Sequence, residues 1–189
     1  EEGETRFGVS REVVARMMDI SGCSATTDPN DSYYALSYPR QSVFYTLMRS
    51  LEPNKPVFNL EEHVVLESHL DPEYTYDYVH SAMWEAAMSG LNGTALAADT
   101  QIFQRPETLE AFATAGLDLN RLAPIVHAFQ QAPADVAILF SDASKILDDG
   151  DPHLLSAWYA YEGCSFAGYN VRFITEDQVV AGVLERVKV

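Results

Sequence analysis

The sequence predicts an α/β protein built on parallel sheet, and three observations carry that reading. Residues 54–65 form an apolar run opened by Pro56 and ended by Glu61, Glu62 and His63, the pattern of a buried strand whose carboxyl end meets solvent. Residues 135–141, Asp-Val-Ala-Ile-Leu-Phe-Ser, form a continuous apolar stretch typical of a central parallel strand. Around these runs the apolar residues recur at three- and four-residue steps, so strands alternate with helices, and a β-α-β-α-β order yields a parallel sheet with right-handed crossovers.

In chain order, Ser10 is a suitable N-cap for a helix over 11–18 whose apolar residues are Val13, Val14 and Met17. Residues 19–25 read as a short strand, and 26–32, rich in Asp, Asn and Pro, as a polar loop. Tyr76, Val79, Met83, Ala87 and Gly90 then make one helical stripe, which Gly90 and Gly93 end. Residues 94–98 form a small-residue strand ending at Asp99. Composition shifts after Arg105, which divides the chain into 1–105 and 106–189. Pro106 suits the first turn of a helix. A second helix over 118–131 sets Leu122, Ile125, Val126 and Phe129 on one face, with Pro124 kinking it. After the strand at 135–141 come a helix over 153–167 and a strand over 170–175. Thr175 and Gln178 then make a capping box for a helix to about Leu184.

Twelve basic residues stand against 28 acidic ones in 189, a formal net charge of −16. That balance argues against a nucleic-acid or anionic-membrane surface, both of which need Lys/Arg clusters. It fits a neutral ligand that needs no electrostatic steering. No apolar run approaches the roughly 18 residues of a membrane span. Cys23 and Cys164 have neither metal-ligand nor redox spacing and read as reduced thiols. The turn Ser141-Asp-Ala-Ser-Lys145 lacks both glycine fingerprints for nucleotide phosphates. His63, Glu67 and His69 match no standard zinc spacing. Ser141 and Ser165 have no local histidine–acid pattern. Neither metal nor cofactor is expected.

Ligands and chemistry in parallel α/β folds gather at the carboxyl ends of strands, which directs attention to Glu61 and its neighbours. Side chains alternate along a strand, so Val57, Asn59 and Glu61 share one side and Phe58, Leu60 and Glu62 the other. The second set begins with two large apolar residues, as expected beneath covering helices. The first set then aims Asn59 and Glu61 into a barrel or crevice, making Glu61 the candidate and Glu62 a rim residue.

The run Lys-Pro-Val-Phe-Asn-Leu-Glu-Glu-His, residues 55–63, resembles the seventh barrel strand of clan A glycoside hydrolases, in particular the β-galactosidase-like enzymes of glycoside hydrolase family 42. That strand typically reads Lys-Pro, an apolar pair, then Asn-Ser-Glu-x-His. Residues 45–51 resemble the helix before it and 79–93 the Trp-containing helix after it. Ala137-Ile-Leu-Phe-Ser141 resembles the strand that opens the family's flavodoxin-like domain. The chain departs at Leu60, often Ser, at Glu62, often Trp or Asn, and at Leu96-Ala97-Ala98, where the family has a Trp platform for the sugar.

The resemblance implies an incomplete (β/α)8 TIM barrel, about strands six to eight, over 1–105. Linker helices and the start of a flavodoxin-like, trimerisation-type domain over 106–189 follow, the second domain serving homo-oligomerisation. It implies Glu61 as the nucleophile of a retaining glycosidase acting on β-linked sugars. Asn59, Glu62, His63, Asp99 and Tyr34 become contacts to the carbohydrate substrate. Tyr33, Tyr34 and Tyr38 either line the site's rim or pack as ordinary amphipathic aromatics. A complete eightfold barrel needs about 250 residues, and Glu1-Glu-Gly-Glu and Arg186-Val-Lys-Val189 are abrupt ends. The chain therefore reads as an internal piece, inactive alone, with the acid/base glutamate on a strand outside it and no compartment implied. The alternative is a non-catalytic, carbohydrate-binding pseudo-glycosidase, which the missing Trp favours.

Overall fold

A computed structural model describes residues 9–27, 38–64, 72–96, 105–147 and 152–186, with the side chains of 26–27, 38–40, 62–64 and 185–186 left aside. Within them the order is α1 (Arg11–Met17), β1 (Ser21–Cys23), β2 (Thr26–Thr27), α2 (Tyr38–Leu51), β3 (Val57–Val64), α3 (Pro72–Met88), β4 (Gly93–Leu96), α4 (Pro106–Arg121) and α5 (Ala123–Gln130). There follow β5 (Val136–Leu139), α6 (Asp142–Leu147), α7 (Pro152–Phe166), β6 (Val171–Ile174), α8 (Glu176–Val180) and a 3₁₀ turn (Val183–Arg186). The result is a mixed α/β fold with short parallel strands, as the alternation of patterns predicts.

The chain divides into two compact units: Gly22–Tyr45 with Val57–Gln131, and Glu1–Ser21 with Thr46–Pro56 and Ala132–Val189. The break after Gln131 differs from the expected boundary at 105. Helix α4 packs along α3, with Ala111 buried against Tyr78 and Val79 and flanked by Phe112 and Tyr76, so α4 and α5 stay with the first unit.

In the first unit β3 is the central strand, paired with β1, β2 and β4. Its pairings with β2 (Thr26 opposite His63) and β4 (Phe58 opposite Gly93) are parallel. Asn92 closes the base of β3: its Oδ1 accepts from the Val57 N–H at 2.9 Å, and its own N–H donates to the Val57 carbonyl at 2.8 Å. Gly90 turns the chain out of α3 at φ 122°, a conformation that favours glycine. Gln130 on α5 donates through Nε2 to the carbonyl of Ala87 at 2.7 Å, tying α5 to the end of α3. Pro124 does not kink a continuous helix. The chain breaks at Leu122 (φ −99°, ψ 8°) and Pro124 lies in the first turn of a new helix, where its missing N–H costs nothing.

The second unit is built on β5 and β6, parallel from Val136 opposite Val171 to Leu139 opposite Ile174. Phe140 and Phe173 are fully buried, with Trp158 edge-on to Phe173 at 6.0 Å and Tyr161 stacked on it at 5.8 Å. The Thr175–Gln178 capping box forms as expected, but α8 stops at Val180 and Gly182 (φ 85°) separates it from the 3₁₀ turn.

Helix α1 reverses its expectation. Ser10 caps it, accepting from the Val13 N–H at 3.2 Å, yet Val13, Val14 and Met17 are exposed and Glu12 and Ala15 are buried. Polar contacts hold the helix. Glu12 accepts from the Thr175 hydroxyl at 2.8 Å and from Arg16 at 2.6 Å. Arg16 also meets Asp177, and Lys55 donates to the carbonyl of Ala15 at 2.8 Å. The buried Glu12 carboxylate thus has the partners that a buried charge requires.

Lys145, in helix α6 after β5, is fully buried. Its Nζ donates to the Val9 carbonyl at 2.8 Å and pairs with Asp142 at 3.3 Å. This lysine thus serves an internal network. The Ser141 N–H donates to His153 Nε2 at 2.9 Å.

Candidate active site at the carboxyl end of strand β3

Local chemistry makes β3 a strand: Val57 and Phe58 favour the pleated backbone, and Pro56 lies just outside it, where no ladder hydrogen bond is needed. Alternation holds for four residues. Val57 and Asn59 are fully buried, Phe58 is partly exposed and Leu60 is 58% exposed. The buried side is the side of Val57 and Asn59, since the Asn59 amide reaches Tyr45 on α2 at 2.9 Å. Phe58 and Leu60 occupy the other side. An added Cβ on Gly93 would stand 3.0 Å from the Phe58 ring, and one on Gly22 would stand 2.8 Å from Leu60 Cδ1. Glycines on the neighbouring strands thus make room for the large side chains of β3.

Glu61 is exposed, like Leu60 and unlike Asn59, and the register between β3 and β4 shifts between Asn59 and Glu62. Such a bulge re-aims the side chains beyond it. Of the side expected to face a ligand, Val57 and Asn59 are buried and Glu61 is exposed. Two side chains hold the Glu61 peptide in place. Its N–H donates to Asn59 Oδ1 at 3.1 Å, and its carbonyl accepts from the Ser24 hydroxyl at 3.3 Å.

Asn59, expected to touch substrate, is instead enclosed. Besides Glu61, its Oδ1 accepts from the Ala25 N–H at 3.4 Å, and its Nδ2 donates to the Ala25 carbonyl at 3.0 Å and to Tyr45. All of its hydrogen-bonding capacity is met within the protein. Glu62 and His63 continue the strand, their backbones paired with Leu96 and Thr26, while their side chains lie outside the described set. Tyr33, Tyr34, Glu67, His69 and Asp99 lie outside the described residues, as does the side chain of Tyr38.

Sequence reasoning missed Ser24, Tyr45 and Glu85. Ser24 carries no motif, and Tyr45 looked like an ordinary helical aromatic. Glu85 on α3 accepts a short hydrogen bond from the Ser42 hydroxyl of α2. Burial pushes its carboxyl up from 4.5 to about 7, against the opposing pull of that hydrogen bond. It lies in the helix layer. A cleft of about 530 Å³ between α3, the start of β4, α4 and α5 is lined by Met83, Leu91, Leu119 and Val126. It meets β4 at Gly93 and Thr94, the amino end of that strand. No group of three metal-ligating side chains occurs among the described residues, and no described helix is long and apolar enough to cross a membrane.

No family model matches the chain, and no curated protein matches it. Among solved structures the fold is similar to that in the crystal structure of apo exo-carrageenase GH42 from Bacteroides ovatus. The TM-score is 0.72 at 22% sequence identity, with 89% of this chain and 26% of that chain covered. The likeness is one of fold. The chain spans about a quarter of that protein's length.

Proposed function

We propose that this chain is part of a retaining glycoside hydrolase of the β-galactosidase-like type, with Glu61 as its nucleophile. The observation that carries the proposal is Glu61 itself: an exposed carboxylate at the carboxyl end of the central strand of a parallel sheet, its peptide held on both sides by side chains. The fold likeness to a family 42 enzyme supports it. On this reading the unit containing β3 is the closing segment of a TIM barrel, with β1 and β2 as strand six, β3 as strand seven and β4 as strand eight. The unit containing β5 and β6 begins a flavodoxin-like domain through which the protein self-associates. Glu62 and His63, and Tyr34 and Asp99 beyond the described residues, are proposed as contacts to the sugar.

The Glu61 carboxylate attacks the anomeric carbon while the glycosidic C–O bond breaks and the departing oxygen takes a proton from a second carboxyl group. That group stands about 5–5.5 Å away in retaining enzymes and comes, on this reading, from a barrel strand outside this chain. Water, deprotonated by the same group, then cleaves the glycosyl-enzyme and restores both carboxyls. The surplus of acidic residues favours a neutral glycoside over an anionic one. Glu61→Gln in the full-length protein is expected to lower turnover of aryl β-glycosides by about three orders of magnitude or more, and unchanged turnover would remove Glu61 from the role.

A second reading, a carbohydrate-binding protein without catalysis, is favoured by β4. It reads Gly-Thr-Ala-Leu over Gly93–Leu96 and supplies no aromatic platform. Sugar binding by the intact protein with no hydrolysis of any aryl glycoside would select it.

A further inference from the structure

We propose that Asn59 is the positioning residue of Glu61, a role that rests on the reading of Glu61 as nucleophile. Between β1 and β2 the chain leaves the ladder at Ser24 and Ala25, and the Asn59 amide stands in for the missing strand partner. It accepts from the Ala25 N–H at 3.4 Å and donates to the Ala25 carbonyl at 3.0 Å. The same Oδ1 takes the Glu61 N–H at 3.1 Å, a local turn closed by an asparagine side chain two residues back. That bond coincides with the register shift between Asn59 and Glu62.

The amide thus ties the bulge to the neighbouring strand segment. Through Nδ2 at 2.9 Å it also ties it to Tyr45, itself fully buried and held by Gln41 Nε2 at 3.2 Å. Ser24 fixes the other side of the Glu61 peptide. A nucleophile must be held to about 0.5 Å of its productive position, and a misplacement of about 1 Å costs on the order of 10²-fold. Asn59 is the side chain whose geometry sets where the Glu61 carboxylate leaves the strand.

The test uses the full-length protein, a panel of aryl β-glycosides as probes, and amide hydrogen exchange at Glu61. Asn59→Ala is expected to lower kcat by about 100-fold with KM changed less than about threefold, and to speed exchange at the Glu61 amide. Tyr45→Phe, which keeps the ring and removes only the phenol, is expected to do both to a smaller extent, and it serves if the alanine variant fails to fold. Asn59→Asp supplies a donor for the Ala25 carbonyl only when protonated. Its kcat relative to the parent protein therefore rises as pH falls, a signature that packing alone does not produce. Full kcat in a folded Asn59 variant, while Glu61→Gln is inactive, overturns the positioning role and leaves the nucleophile standing. Undiminished protection of the Glu61 amide in every variant overturns it as well. Turnover surviving in Glu61→Gln overturns the nucleophile and the positioning role together.

Discussion

Glu85 offers a perturbation whose size follows from the structure. Its carboxyl sits between α2 and α3, accepts from Ser42, and is pushed by burial from 4.5 to about 7. Because the folded chain holds this proton more tightly than the unfolded chain, folding is favoured most below pH 4.5, and stability is lost as pH rises towards 7. At 1.36 kcal/mol per pH unit, the interval from 4.5 to about 7 costs on the order of 3 kcal/mol, constant at higher pH. Glu85→Gln keeps the shape and an acceptor for Ser42 while removing the charge. At pH 8 the variant is expected to be more stable than the parent chain by about 2–3 kcal/mol, a rise in Tm of roughly 5–10 °C for a chain this long. At pH 4 the two are expected to agree within about 0.5 kcal/mol. Calorimetric melts of both proteins from pH 4 to 8, compared as a difference so that the general acidity of the chain cancels, measure this directly. A difference that does not change with pH, or a glutamine variant less stable at pH 8, refutes the reasoning.

Two further outcomes test the packing. Gly93→Ala brings a Cβ to 3.0 Å from the Phe58 ring and is expected to destabilise the chain by about 1–3 kcal/mol, read as a lower denaturant midpoint. Lys145→Met removes one partner of a buried pair and leaves Asp142 without its cation. It is expected to cost about 3 kcal/mol, while inorganic phosphate changes the melting of neither protein.

The elements were legible where neighbours in sequence dictate them. Val57 and Phe58 behind Pro56 make a strand, Ser10 caps α1, and Thr175 and Gln178 close a capping box, each through contacts within about four residues. Local pattern also brought a run of polar residues to the carboxyl end of β3, which marks Glu61. The faces were not legible in this way. Helix α1 buries Glu12 because Thr175, 163 positions away, donates to it, and no periodicity encodes such a partner. Pro124 opens α5 because the chain breaks at Leu122, whereas the pattern alone allowed a kinked continuous helix.

The strand end shows the division most clearly. Sequence by itself determined that a carboxylate closes an apolar strand in a parallel α/β chain, because strand propensity and apolar runs are local properties. Tertiary structure alone decided that Asn59 is buried and Glu61 exposed. Burial depends on partners distant in sequence, and here an amide bonded to Ala25, 34 residues earlier, and to Tyr45, 14 residues earlier, accompanies the register shift beside Glu61.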